Sequence, residues 1–502
     1  MDASANNLGR LLVFALMVPL SILLGMLLVT PMSFTSLLGV GLMAGTLSLP
    51  IFLRWHHTLV IGLWNAVLVI PFLPGQPPLW VLVAALSLTI AVVSRTLRHE
   101  SNFIWVRSVA LPLLLLGVIV AVTVVFRGFG SRALGSEMWG AKRYLGVLGA
   151  ILGYFALTSA RIPPARAKLM AGIFFLSGVT AIFSDLAFAG GSAFYWLFLF
   201  FPTDVAFNQA ITAGSLQRFT GMAWMAQAGY WFMLLRYGIR GVVDVRRPWR
   251  LLVFSALFMV GLFGGFRSSI ILFALLFLAQ FWFERLLWTK LFLVVCLGSL
   301  LLGSLIVAFA DRLPMPVQRS LSFLPIQVHP AARQDAQGTL DWRLQMWRVV
   351  LPEVPQYLWL GKGYTFSGTD YQLMQEAIRR GLFTAYEDTL VSGNYHNGLL
   401  TLIIPFGLPG TLAFTAFLLA GWRVLHRNYQ HGPVSLSRVN TFLIAYFSAR
   451  LIFYLVFYGQ FDIDLMVFTG VVALSLSLNG GVHAPPSGQR PLPLRPPGPV
   501  PA

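Results

Sequence analysis

The sequence predicts an all-α polytopic membrane protein of about fourteen transmembrane helices with one large outer loop. Three observations carry that expectation. Hydrophobic residues make up 57% of the 502-residue chain and charged residues only 10%, with a mean hydropathy of +0.76. Apolar runs long enough to cross a bilayer recur along nearly the whole length. Basic residues concentrate in alternate connections, the pattern that orients membrane helices. The single cysteine, Cys296, lies inside an apolar run, so there is no intramolecular disulfide framework.

The first run, residues 11–29, is followed by Thr30-Pro31-Met32-Ser33 with no small-residue cleavage site, and reads as a retained span. Spans are then expected at 36–53, 58–75, 79–95, 108–126, 144–159 and 169–190, completing an N-terminal group over residues 1–190. A central group, 191–310, opens with the aromatic run FYWLFLFFP, too short to span and suited to the outer interface. It continues with spans at 220–236, 250–266, 268–284 and 291–310. Residues 311–395 form a long loop with eight basic and eight acidic residues and a helical pattern over 342–354. Loops of this length are more often functional than tethers. The C-terminal group, 396–479, holds spans at 397–422, 439–458 and 464–479, and the Pro-rich tail 480–502 is expected to be disordered and cytoplasmic.

With the N-terminus in the cytoplasm, the inner segments hold 20 Lys/Arg and 4 Asp/Glu, and the rest of the chain holds 15 and 13. The formal net charge of +18 thus divides into +16 and +2. The inner loop 236–250 alone carries five arginines. The basic excess is therefore a matter of topology and anionic lipid, and nucleic acid is not an expected partner.

The stretch HNGLLTLIIPFGLPG, from His396 to Gly410, sets a histidine and an asparagine at the mouth of an apolar helix. Free N–H groups and the positive dipole end there attract anions, and an imidazole titrates near pH 6.5. Arg267 in GGFRSS sits in a tight outer turn. Arg343 and Trp347 in DWRLQMW lie four apart on one helix face, and Arg218 precedes the span starting near Thr220. The plain alternatives are snorkelling to headgroups for Arg218 and Arg267, cover for the loop's own core for Arg343, and an interfacial histidine without a role. Gly407 and Gly410 read as kink and packing residues beside Pro405 and Pro409. Arg450 falls inside a span, where it serves a function or pairs with Asp185. No Walker loop, CxxC or HExxH occurs, and Asp462 and Asp464 flank Ile463 only in a short loop, so no metal or cofactor is expected.

These residues resemble a known family. His396-Asn397, nine residues, then Gly407, two residues and Gly410 looks like the histidine motif of bacterial O-antigen ligases. GGFRSS is similar to the Ser-Arg turn of that superfamily, although Phe266 stands where serine is usual. DWRLQMWRVVLPEVPQYLWLGKGYTF resembles its large outer loop. The likeness covers roughly residues 210–470; about fourteen spans exceed the ligases' usual twelve and approach the related O-antigen polymerases.

The resemblance implies a C-type glycosyltransferase fold in the bacterial inner membrane, with both termini cytoplasmic and the active site outward. The donor would be an undecaprenyl diphosphate-linked glycan and the acceptor a saccharide such as lipid A-core. Departure of the diphosphate needs its growing charge neutralised, and planar guanidinium groups suit phosphate. The expected enzyme is a metal-independent inverting transferase with His396 as general base or acceptor-orienting group, Arg267 and Arg343 on the diphosphate, and Arg218, Arg450 and Asn397 as further substrate contacts. A polymerase of the same superfamily is the alternative, and a lipid-linked glycan flippase or transporter the alternative of another class.

Overall fold

The computed structural model describes residues 34–71, 76–98, 103–131, 138–202, 218–380 and 387–484, with scattered positions at 15–29, 73 and 136. Most of the expected span 11–29, part of the interfacial segment (203–217) and the tail from 485 lie outside the described residues.

Where no water can serve the backbone, apolar segments close their hydrogen bonds internally and become helices. Among the described residues seven helices are long and apolar enough to cross a membrane: Leu79–Leu97, Arg107–Arg127, Pro164–Gly190, Lys290–Ala308, Leu400–His431, Val434–Phe457 and Phe461–Asn479. Trp249–Gly264 and Arg267–Phe283 are shorter apolar helices, and Ala141–Leu157 and Thr220–Val242 occupy two further expected spans. Among the described residues the fold is all-α, the strands there being the two-residue pair Met138–Trp139 and Phe366–Ser367.

One pair of expected spans differs. Residues 36–53 and 58–75 become the helix Phe34–Leu63, bent at Trp55 (φ −126°, ψ 19°), and the chain leaves helical conformation after Leu63. The cause is tertiary. Asn65 N donates to Ser177 Oγ (3.3 Å), Asn65 Nδ2 to Phe174 O (2.8 Å), and Val67 N to Thr180 Oγ1 (2.9 Å). These partners lie where a neighbouring helix loosens to a 3₁₀ turn at Ser177–Ala181. Two broken helices satisfy each other, and Pro71, Pro77 and Pro78 prevent helix from resuming earlier.

Helix Phe461–Asn479 is central, packed against Ala141–Leu157 and Leu400–His431, and every residue over 468–479 is buried. Lys290–Ala308 is its opposite, with no buried residue and the character of a lipid-facing span. Alternating direction sorts helix ends into two sets. Phe461 N donates to Thr401 Oγ1 and Arg127 Nε to Gly361 O at the end carrying His396. Tyr429 Oη donates to Phe283 O and Arg438 Nη1 to Arg236 O at the other.

The long loop is folded. It contains Met315–Leu321, the loop helix Pro330–Val350, a 3₁₀ turn Leu351–Tyr357, and helices Gly368–Arg379 and Glu387–Ser392. Its LGKG stretch is fastened to a break in Leu400–His431. Pro409 lacks an N–H, so Pro405 O loses its helical donor and takes Gly363 N instead (3.0 Å). Leu408 N turns to Leu358 O (2.6 Å), which frees Ile404 O for Lys362 N (2.7 Å). Gly407 makes the break at φ +64°, ψ −167°, and a Cβ there would lie 2.6 Å from Leu358 O. Gly407→Ala is therefore expected to cost on the order of 1–3 kcal/mol from backbone strain alone. A lower thermal midpoint and poorer yield of monodisperse protein are the readouts; an unchanged midpoint would contradict this account of the break.

Candidate active site

His396 stands at the head of that broken helix. Asn397 Oδ1 accepts from Leu399 N (3.0 Å) and Leu400 N (3.2 Å), the work of an N-cap. His396 itself adopts φ +50°, a left-handed conformation that a non-glycine residue holds only when its surroundings compel it. On one side, Tyr395 is buried with Met346, Val350, Leu400 and Ile404, and Trp347 Nε1 donates to Tyr395 O (2.8 Å). On the other, Tyr454 Oη donates to Gly398 O (2.5 Å). The imidazole meets Trp342 edge-on at 5.3 Å and lies tilted to Tyr458 at 5.2 Å. Its Nδ1 is buried and makes no hydrogen bond.

This setting changes its titration. Burial first, and then the Arg343 charge, lower the imidazole from 6.5 to about 4. A lowered pKa means the neutral, proton-accepting form persists in acid, so the ordinary value expected from sequence does not apply.

Arg343 is next to Trp342 on the loop helix, whose stripe Trp342, Met346, Val350 docks onto the histidine turn. Its guanidinium lies 5.7 Å from the Tyr458 ring centroid, and its Nε is buried without a partner. Burial, and the charges of Arg267 and Arg319, lower its pKa, while Tyr458 raises it. Arg267 opens its helix after Gly265, whose φ of +67° turns the chain; Arg267 Nη2 donates to Ala336 O (2.5 Å) on the loop helix. Arg319, buried, donates through Nε to Asp335 and through Nη1 to Gly265 O. Arg218 approaches Asp335 at 3.6 Å and lies over the Phe266 ring. Four guanidinium groups thus gather around the loop helix, and among the described residues Asp335 is the one carboxylate ion-paired with any of them.

Arg450 pairs with Asp464 (2.9 Å), not with Asp185. Asp185 accepts from Met222 N (2.7 Å) at the start of Thr220–Val242. Asp462 pairs with Arg143 (3.1 Å), whose Nη1 also donates to Ser392 O (2.7 Å), close to the histidine turn. The two carboxylates flanking Ile463 are therefore each committed to an arginine.

Sequence reasoning brought out His396, Arg343, Arg267 and Arg218, which the fold gathers. It passed over Arg319 and Asp335, two members of the neutral charge tally of residues 311–395, and Tyr458 and Trp342. Trp342 stands inside the quoted DWRLQMW stretch and could have been found there; Arg319 sits in the short helix MPVQRSL with no pattern to mark it.

Residues 251–415 match the family model described as O-antigen ligase. No curated protein matches the chain. The matched stretch contains Arg267, Arg319, Asp335, Arg343, His396 and the Gly407 break, and supports a relation of this part of the chain to the O-antigen ligase and polymerase superfamily.

Proposed function

We propose that this protein is a ligase of the O-antigen ligase and polymerase superfamily that moves a glycan from an undecaprenyl diphosphate donor to a saccharide acceptor at the outer face of the inner membrane. The observation that carries the reading is the buried, unpartnered Nδ1 of His396 beside the unpartnered Nε of Arg343, with Arg267 and Arg319 in electrostatic reach. An acceptor hydroxyl attacks the anomeric carbon from the face opposite the leaving group and its proton passes to His396. The bond from that carbon to the diphosphate oxygen breaks, the diphosphate departs with the electron pair, and configuration inverts. Arg267 and Arg343 grip the departing diphosphate, whose charge is then met by fixed cations without a metal. Arg218 extends the cationic surface, with Arg319 buried behind it on Asp335 and Gly265 O; Arg450 is held by Asp464. The lipid tail stays in the bilayer while the diphosphate reaches the helix ends.

The test is to incubate purified protein, in EDTA, with lipid-linked oligosaccharide and lipid A-core. Glycan joined to lipid A-core supports the proposal. Glycan lengthened on its own lipid carrier would mean a polymerase, and no covalent product with lipid moved across vesicles would mean a flippase.

Sidedness is checked separately. On a Cys296→Ser background, Gln372→Cys in the loop is expected to label with an impermeant thiol reagent in intact cells, and Val245→Cys only after permeabilisation. The reverse pattern would place the arginine cluster on the wrong face for this chemistry.

The pH dependence follows from the lowered imidazole. kcat/KM is expected to hold through pH 6.5 and to fall on the acid side only toward about 4. Arg343→Gln removes a positive neighbour and should move that fall upward in pH. An acid limb near 6.5 in the native enzyme, unmoved by Arg343→Gln, would remove His396 from the titration.

A further inference from the structure

At the end of the bundle opposite His396, a cavity of about 680 Å³ opens between the start of Arg107–Arg127, the second half of Leu400–His431 and the chain after Asn479. Arg107, Arg423 and Arg427 line it, no acidic residue does, and among the described residues none of the three is in an ion pair. Arg423 and Arg427 are one turn apart on the same helix face, an arrangement of like charges that costs stability unless an anion is shared between them. The site is built on a rigid floor. Asn428, buried beside Arg427, donates to Gly481 O (3.2 Å) and Ser475 Oγ (3.2 Å) and accepts from His483 N (3.0 Å). Asn440 and Asn479 exchange side-chain hydrogen bonds just behind it (3.0 and 2.9 Å).

What runs away from the arginines decides the kind of anion. On the face of Arg107 lie Leu111, Leu115 and Val118, 47%, 53% and 59% exposed; on the face of Arg423 lies Leu419, 54% exposed. The two helices pack against each other, so a cationic cavity at their end continues into an apolar strip along their length. Trp105 stacks on Phe155 (5.9 Å) and is itself exposed at the rim, the placement of an interfacial aromatic. We infer that this cavity binds the phosphate headgroup of an anionic phospholipid, with its acyl chains along Arg107–Arg127 and Leu400–His431. The site is independent of the His396 cluster and of its proposed chemistry.

Native mass spectrometry of the full chain, released from detergent with phosphatidylglycerol or phosphatidylcholine, tests it. A retained phosphatidylglycerol in preference to phosphatidylcholine is expected, and the retained fraction should fall roughly tenfold or more in Arg423→Gln/Arg427→Gln. Arg438→Gln, which removes a basic residue at the same end outside the cavity, should leave retention unchanged. Arg107→Gln alone, an exposed replacement on another helix, should weaken retention and covers the case in which the double variant fails to fold. Equal retention of phosphatidylcholine, retention undiminished in Arg107→Gln, or competition by inorganic phosphate without lipid would each overturn the proposal.

Discussion

Replacing His396 with alanine is expected to leave a folded, membrane-inserted protein whose transfer rate falls roughly 10²–10⁴-fold, the loss typical of a missing general base. The expectation rests on an imidazole whose pKa is lowered to about 4, so that it is neutral at pH 7, with a ring nitrogen, Nδ1, that no protein group occupies. Because position 396 takes φ +50°, His396→Asn is the sharper variant: asparagine tolerates the left-handed region and keeps polarity, yet accepts no proton. Both should retain donor binding and both should lose turnover. If His396 served only to hold its turn, asparagine would restore activity and alanine would lower protein level with transfer per folded molecule intact. A fully active alanine variant would remove the base from the mechanism.

The second large effect concerns the guanidinium groups. Arg343→Lys and Arg267→Lys keep the charge but lose the planar fork that grips two phosphate oxygens at once. Each is expected to raise the barrier by about 2–4 kcal/mol, a loss of roughly 30- to 1000-fold in turnover. Arg267→Lys must also do without the bond to Ala336 O, so the level of folded protein has to be measured beside it. For Arg343 that complication is smaller, since its Nε has no protein partner to lose. Near-normal turnover in both lysine variants would show that charge alone suffices there. Arg319→Lys offers a contrast: its bonds go to Asp335 and Gly265 O, so its first effect should be on stability.

Most helices were legible because a bilayer leaves a long apolar run little choice but to be helical. The unwinding after Leu63 was not, because it depends on hydroxyls of Ser177 and Thr180, more than a hundred positions away, taking over backbone donors. The gathering of His396, Arg343, Arg267 and Arg218 at one end could be read from the order of spans. Asp335 could not, since a carboxylate in a charge-balanced loop announces no partner. An in-span Arg450 leaves a functional role and a pair with Asp185 both open to a sequence reader; its partner is Asp464, one turn into the next helix and nearer in chain. Titration was the least legible property. An imidazole at a helix start reads as ordinary until the rings of Trp342 and Tyr458 and the Arg343 charge close around it.

The exchange of backbone partners between the LGKG stretch and the break at Gly407 also sets an order of events in biogenesis. Synthesis runs from the N-terminus, so residues 358–363 leave the ribosome before the segment that will hold them exists. Until Leu400–His431 has entered the membrane, those amides and the mouth of the site stay with water and with protease. The loop matures only when the span beyond it arrives, and the histidine turn, which joins the two, is formed in that same event. A nascent chain halted before the break would therefore carry every arginine of the cluster and still lack a site.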